Sequence, residues 1–207
     1  ICKAVGIDGH KVMEIFCQDT KLNLSSYYMK PGFAFGGSCL PKDVRALTYK
    51  ARSLDVEVPV LNAILPSNER QIQNAIDMIV NKGHRKIGVL GFAFKAGTDD
   101  LRESPMVDVI EHLIGKGYDL RVYDRNVNLA ALTGANRDYI LNHIPHISRL
   151  MVGSVKEVTD CAETIVIGNG ASEFRDVPDA LRPAQHVVDF VRIAKRSSDA
   201  QYDGICW

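Results

Sequence analysis

Lys86-Ile87-Gly88-Val89-Leu90-Gly91 is a short apolar run ended by glycine, and the chain changes character there. Before it, over residues 60–81, Leu61, Ile64, Leu65, Ile72, Ile76, Ile79 and Val80 recur at helical spacing. That predicts a long amphipathic helix, which Pro66 should bend or offset at its start. Lys82-Gly83-His84 closes it. After the run, strand and helix patterns alternate. Residues 106–114 read as helix stopped by Gly115 and Gly117, 120–124 as a second strand, and Met151-Val152 as the start of a third. Helix follows at 155–160, then strands at 163–168 and 186–190. Such alternation predicts βαβ units and a parallel sheet with ligands beyond the carboxyl ends of the strands. The expected fold class is α/β: a helical part, residues 1–84, followed by a Rossmann-like parallel-sheet domain, residues 85–207.

The first strand leads into Gly91-Phe92-Ala93, which departs from a dinucleotide fingerprint because the second and third glycines are absent. Lys95 and Arg102 bracket a polar loop, Ala96-Gly97-Thr98-Asp99-Asp100-Leu101, where a phosphate could sit on backbone N–H groups and cations. The plain alternative is a solvated loop. Asp124 closes the second strand, where an acid can hold a ribose hydroxyl, although a turn residue is the simpler reading.

Upstream, residues 1–17 have helical spacing broken by Gly6-Ile7-Asp8-Gly9. The start resembles the middle of a helix and carries neither an initiator Met nor a signal-peptide design, so a piece of a longer chain is expected. Residues 22–40 form a long loop without periodicity, of the kind that tends to be functional. Its end, Gly36-Gly37-Ser38-Cys39-Leu40-Pro41-Lys42-Asp43, is a glycine-rich turn feeding a helix read over residues 42–51, with Pro41 at a first helical position. A thiol there feels the positive end of the helix dipole and a neighbouring Lys42, which favours thiolate. Cys39 is therefore a candidate nucleophile, against the alternative of a small buried hydrophobe. Asp43, four residues on, shares its helix side and could orient a water, or simply suit the first helical turn. Tyr27, Tyr28 and Lys30 suit a sugar nucleotide or a phosphate, or serve as packing anchors. His143 and His146, separated by Pro145, lack a third ligand, and no metal site is expected.

Composition narrows the classes. Hydrophobic residues make up 46% and charged residues 24%, and 25 basic residues balance 25 acidic ones. That gives no nucleic-acid footprint, and no apolar run approaches membrane-spanning length. The five cysteines, Cys2, Cys17, Cys39, Cys161 and Cys206, include no C-x-x-C pair, so neither a disulfide framework nor a zinc cage is indicated and a reducing cytoplasm fits.

Lys30-Pro31-Gly32-Phe33-Ala34-Phe35-Gly36-Gly37-Ser38-Cys39-Leu40-Pro41-Lys42-Asp43 resembles the signature around the essential cysteine of the nucleotide-sugar dehydrogenases, the UDP-glucose/GDP-mannose dehydrogenase family. Gly91-Phe92-Ala93-Phe94-Lys95 with Asp99-Asp100-Leu101-Arg102-Glu103-Ser104-Pro105 is similar to that family's second signature. The Ser25-Ser26-Tyr27-Tyr28-Met29 lead-in and the Gly204-Ile205-Cys206-Trp207 ending resemble the branch that acts on GDP-mannose, with UDP-glucose the rival substrate. The resemblance implies NAD-dependent oxidation of a sugar C6 alcohol to a carboxylate. Cys39 would form a thiohemiacetal and then a thioester, and Asp43 would help position groups for hydride transfer and hydrolysis. It implies further that Lys42 and Arg102 contact the NAD, and that Tyr27, Tyr28, Lys30, Phe33, Gly36 and Lys95 line the nucleotide sugar. A homodimer through the helix at 60–81 is implied, with elements exchanged and larger assemblies left open. The family's N-terminal NAD-binding domain, and the Lys, Asn, Glu and Thr it uses beside the cysteine, have no counterpart in these residues, so no turnover is expected from them alone. A non-catalytic nucleotide-sugar binding or dimerisation module stays as the alternative.

Overall fold

The computed structural model describes residues 1–23, 25–129 and 132–207; Leu24 of the predicted loop lies outside them. The chain opens with a 3₁₀ turn at Lys3–Val5 and helix α1 at Gly9–Phe16, whose Asp8 cap accepts from the His10 N–H at 2.9 Å. A second 3₁₀ turn, Ser26–Met29, sits inside the long loop. Helix α2 spans Leu40–Ser53 and α3 spans Pro59–Val80. Proline at the head of each fits the orphan N–H groups of a first turn. The α3 helix starts at Pro59 and runs on through Pro66, so Pro66 does not offset its start.

Strand β1 is Lys86–Leu90, followed by α4 at Pro105–Gly115, β2 at Asp119–Tyr123, α5 at Gly134–His143, α6 at Ile147–Leu150 and α7 at Val155–Cys161. Strands β3 (Thr164–Ile167), β4 (His186–Asp189) and β5 (Tyr202–Gly204) complete one sheet of order β2-β1-β3-β4-β5, with every pairing parallel. In-register Val122, Val89, Val166 and Val188 form a buried row across four strands, packed under α4 and the second half of α3. The opposite face packs on α7, and Gly88 permits this: a Cβ there would meet Val158 Cγ1 at 2.4 Å.

The sequence reading needs correcting at several places. Met151-Val152 is no strand: Met151 makes one isolated bridge to Val122 before the chain turns into the Ser154-capped α7. His143 is the last residue of a helix, α5, and its Nδ1 pairs with the Tyr139 carbonyl at 2.8 Å. Strand β5 and helices α5 and α6 carry no sequence signal strong enough to predict them. The first helical part is tied to the sheet's far edge. Asp8 and Arg192 make a two-pronged ion pair at 2.7 Å on each prong, the Gly9 N–H donates to the Cys206 carbonyl at 3.0 Å, and His10 meets the Trp207 ring edge-on. The Arg192 fork holds the Asp8 carboxyl down at about 2.

Candidate active site

Cys39 is the N-cap residue of α2, which begins at Leu40, two residues before the predicted start. Its carbonyl accepts the first helical bond from the Asp43 N–H at 2.9 Å, and its thiol is exposed beside Ser38 Oγ, 3.9 Å away. The side chain caps nothing, so the sulfur is left at the positive end of a helix of 14 residues. Lys42 Nζ and Asp43 Oδ1 pair with each other at 3.3 Å on the exposed side of the first turn.

What fixes this thiol in space is contact between the two sequence motifs. A Cβ on Gly36 would lie 2.1 Å from the Glu103 carbonyl oxygen and 2.6 Å from Pro105 Cδ, so only glycine lets the cysteine loop lie on the loop after β1. Next to it, Gly37 takes φ +86°, donates its N–H to the same Glu103 carbonyl at 3.3 Å and lies against the Phe94 ring. The Arg45 guanidinium, one turn into α2, pairs with the Glu103 carboxylate. Arg102 is held by a fork from Asp100, with Nε at 2.9 Å and Nη2 at 2.8 Å. The fork lowers the Asp100 carboxyl and raises the Arg102 guanidinium, and negative charge on Cys39 raises Arg102 further.

The docked loops wall a cleft of about 420 Å³ at the carboxyl ends of β1, β3 and β4. Sheet order reverses between β1 and β3, the place where open parallel sheets take ligands. Tyr27, Lys30 and Phe33 line the cleft from the loop, and Phe33 stacks on Phe190 with centroids 4.5 Å apart. Ser104, Pro105 and Met106 bring the first turn of α4, the positive end of a helix dipole, to its wall, and Lys30 lines the same cleft. Tyr28 is exposed and meets Tyr27 edge-to-face at 5.6 Å without lining the cleft. Lys95 stays on the exposed loop outside it, and Gly36 supports its rim from behind. Asp124 is used structurally: Oδ2 accepts from the N–H groups of Phe92 and Ala93 and from Asn169 Nδ2 at 3.1 to 3.2 Å, and Oδ1 accepts from Asn126. Sequence reasoning missed Ser104, Phe190 and Gly168. Gly168 has a local signal, since it ends an apolar strand and a Cβ there would strike the Gly91 carbonyl at 2.3 Å.

Residues 88–196 match the UDP-binding domain of the UDP-glucose/GDP-mannose dehydrogenase family, and residues 1–70 match that family's central domain. The chain belongs to this family. It is 55% identical over 207 residues to GDP-mannose 6-dehydrogenase of Pseudomonas aeruginosa and 48% identical to that of Azotobacter vinelandii, each match covering all of this chain and 48% of the relative. UDP-glucose 6-dehydrogenase of Bacillus subtilis is 36% identical over 129 residues, 60% of this chain and 27% of its own length. A crystal structure of a ternary complex of GDP-mannose dehydrogenase from P. aeruginosa superposes with a TM-score of 0.83 at 54% identity, covering all of this chain and 47% of that one. A UDP-glucose dehydrogenase from Pyrobaculum islandicum gives 0.81 at 27% identity, covering all of this chain and 45% of its own. The chain thus spans about half the length of the curated nucleotide-sugar dehydrogenases it matches.

A second cavity, of about 480 Å³, lies on the other side of the cysteine loop, among α2, α3, α4 and α5. Phe35 and Pro41 line it from the cysteine-loop side, Pro105 borders both this cavity and the cleft, and Glu69, Asp108, Tyr139 and His143 complete the lining. Burial pushes the Asp108 carboxyl up to about 6, with Glu111 adding repulsion, and burial together with the Asp108 charge pushes the Tyr139 phenol up to about 12. Among the described residues no helix is long and apolar enough to cross a membrane.

Proposed function

We propose that this chain is the C-terminal part of an NAD-dependent GDP-mannose 6-dehydrogenase, with UDP-glucose as the rival substrate. One observation carries the reading: the exposed thiol at the head of α2 is docked, through Gly36 and Gly37, onto the loop that walls the cleft at the β1/β3 switch point. The nucleotide end of the substrate would lie in that cleft, with phosphate at the α4 N-terminus and Lys30 and with Tyr27 and Phe33 around it. Tyr28, Gly36 and Lys95, which stand outside the cleft, would reach only the part of the nucleotide sugar that extends beyond it. The sugar would extend toward Cys39. Residues 1–84 form the helical part that presents the cysteine, and residues 85–207 hold the nucleotide.

The Cys39 thiolate adds to a C6 aldehyde to give a thiohemiacetal, and a thioester stands one oxidation further on. Water attack on that carbonyl, a water we assign to Asp43 for orientation, releases the carboxylate and returns the thiol. NAD⁺, when bound, supplies the hydride acceptor. Lys42 and Arg102 are the cations we assign to it. Each is paired with an acid in this structure, Lys42 with Asp43 and Arg102 with Asp100, so contact with a pyrophosphate would compete with those pairs. A homodimer through α3 is supported by its exposed apolar end, where Val60 is 80% exposed beside Leu54 and Val56. A cytoplasmic location fits the scattered free thiols.

Calorimetric titration of this chain with GDP-mannose and UDP-glucose in parallel tests the reading. Tighter binding of GDP-mannose is the expected result, and tighter binding of UDP-glucose overturns the substrate. Limited iodoacetamide at neutral pH should label Cys39 ahead of the exposed Cys161. Equal labelling would favour the non-catalytic module.

A further inference from the structure

We propose that Asn68, on the polar side of α3, is a positioning residue for Cys39, an inference that rests on Cys39 being the nucleophile of the function just proposed. Asn68 Oδ1 accepts from the Phe35 N–H at 2.9 Å while its Nδ2 donates to the Phe35 carbonyl at 2.8 Å. One planar carboxamide thus pairs with both backbone groups of one residue, as a neighbouring strand would. Few side chains offer a donor and an acceptor on so short a reach: aspartate lacks the donor and leucine lacks both. Three residues on, along the same helix face, Gln71 Nε2 donates to the Gly32 carbonyl at 3.2 Å, so α3 grips the loop at a second point.

The grip matters because packing does not supply it. Phe35 is only half-buried and borders the second cavity together with Asn68, so the packing around it is incomplete and the paired hydrogen bonds hold its backbone there. Between Phe35 and Cys39 lie Gly36 and Gly37, the two most permissive residues of the segment, followed by Ser38. Glu103 and Phe94 hold those glycines from the sheet side. Asn68 holds the residue before them from the helix side. Asn68 thus adds a third hold to the α2 helix and the Glu103 contacts, and with it released the Gly36-Gly37 span can shift the aim of the Cys39 side chain at the head of α2.

The test uses the full-length polypeptide and reads two quantities: the alkylation rate of Cys39 relative to Cys161 in the same molecule, and dehydrogenase kinetics. In Asn68→Ala the Cys39-to-Cys161 rate ratio should fall about fivefold. In the same variant kcat should fall about tenfold, while KM for the nucleotide sugar stays within about threefold, since the cleft is untouched. General loosening would raise both alkylation rates together and would make Asn68 merely structural. Asn68→Asp, isosteric but without the donor, guards against misfolding and should lose in the same direction. A folded Asn68→Asp protein whose rate ratio and kcat stay within about twofold of the parent overturns the inference. If the parent shows no nucleotide-sugar-dependent NAD⁺ reduction but the rate ratio still falls, the positioning of Cys39 stands and the proposed function fails.

Discussion

The N–H of Gly37 donates to the carbonyl of Glu103, 3.3 Å away, and this bond joins two loops that lie far apart in the sequence. Glu103 adopts φ +50° to offer that carbonyl, an uncommon conformation for a residue with a Cβ, and the Arg45 ion pair holds its side chain. Cysteine and cleft are therefore one structural unit, although neither loop has regular secondary structure of its own at the contact.

Gly36→Ala should break that unit locally. The new methyl would fall 2.1 Å from a backbone oxygen, which has no flexible end to yield. The expected cost is about 1–3 kcal/mol, relieved by lifting the cysteine loop. Thermal melting should show a modest drop, while selective labelling of Cys39 is lost. Retained selectivity would show that the close approach is dispensable.

Asp108 yields a pH-dependent prediction. Its carboxyl holds a proton up to about 6 in the folded chain but only to the ordinary carboxylate range when unfolded. The folded state therefore binds the proton more tightly, and stability falls as pH rises from about 4 to about 6, then stays level at the lower value. Asp108→Asn should stabilise the protein at pH 8 by about 1–2 kcal/mol, discounted for partial exposure, and leave it unchanged at pH 4. Chemical denaturation at the two pH values checks this; an equal effect at both would point to packing instead.

Asp8 works in the opposite direction. Arg192 holds its carboxyl at about 2, below the unfolded value of 3.8, so the unfolded chain takes up the proton first. The stability this contributes is present above about pH 4 and is lost as pH falls toward 2, roughly 2 kcal/mol in all. Asp8→Asn should be destabilising at pH 7 by that order and indistinguishable from the parent at pH 2. Acid denaturation midpoints of the two proteins provide the measurement.

Asp124→Asn should destabilise by about 1–3 kcal/mol, because an amide that keeps its oxygen on the Phe92, Ala93 and Asn169 donors turns its NH2 toward the Asn126 N–H that Oδ1 now accepts from, and the charge that strengthens all four bonds is lost. Urea unfolding reads the loss directly. Nucleotide affinity should fall as well, since Phe92 and Ala93 start the loop that walls the cleft.

Much of the sheet was legible because buried parallel strands are continuous apolar runs: Ile87 to Leu90, Ile165 to Ile167 and Val187 to Val188 could hardly be anything else. Tyr202-Asp203-Gly204 is too short and mixed to announce a strand, and α5, beginning Gly134-Ala135-Asn136-Arg137, carries no clear apolar stripe. Met151-Val152 shows the opposite error, since two apolar residues reach the sheet and leave it after a single bridge. At the site, the glycines around Cys39 advertise a close approach but not what approaches. Asn68 reads as part of a solvated helix face, because a side chain gripping a loop 33 residues away leaves no periodic trace. Phe190 is visible only as the end of a strand until Phe33 is seen stacked on it.

The 22 residues of α3 make a rod of about 33 Å. Ala75, Ile76 and Ile79 sink one end into the core, Asn68 and Gln71 grip the cysteine loop near the middle, and Val60 stands free at the other end. One helix thus reaches from the buried core to open surface and holds the cysteine loop on the way, so that loop is anchored to the same element that carries the exposed end.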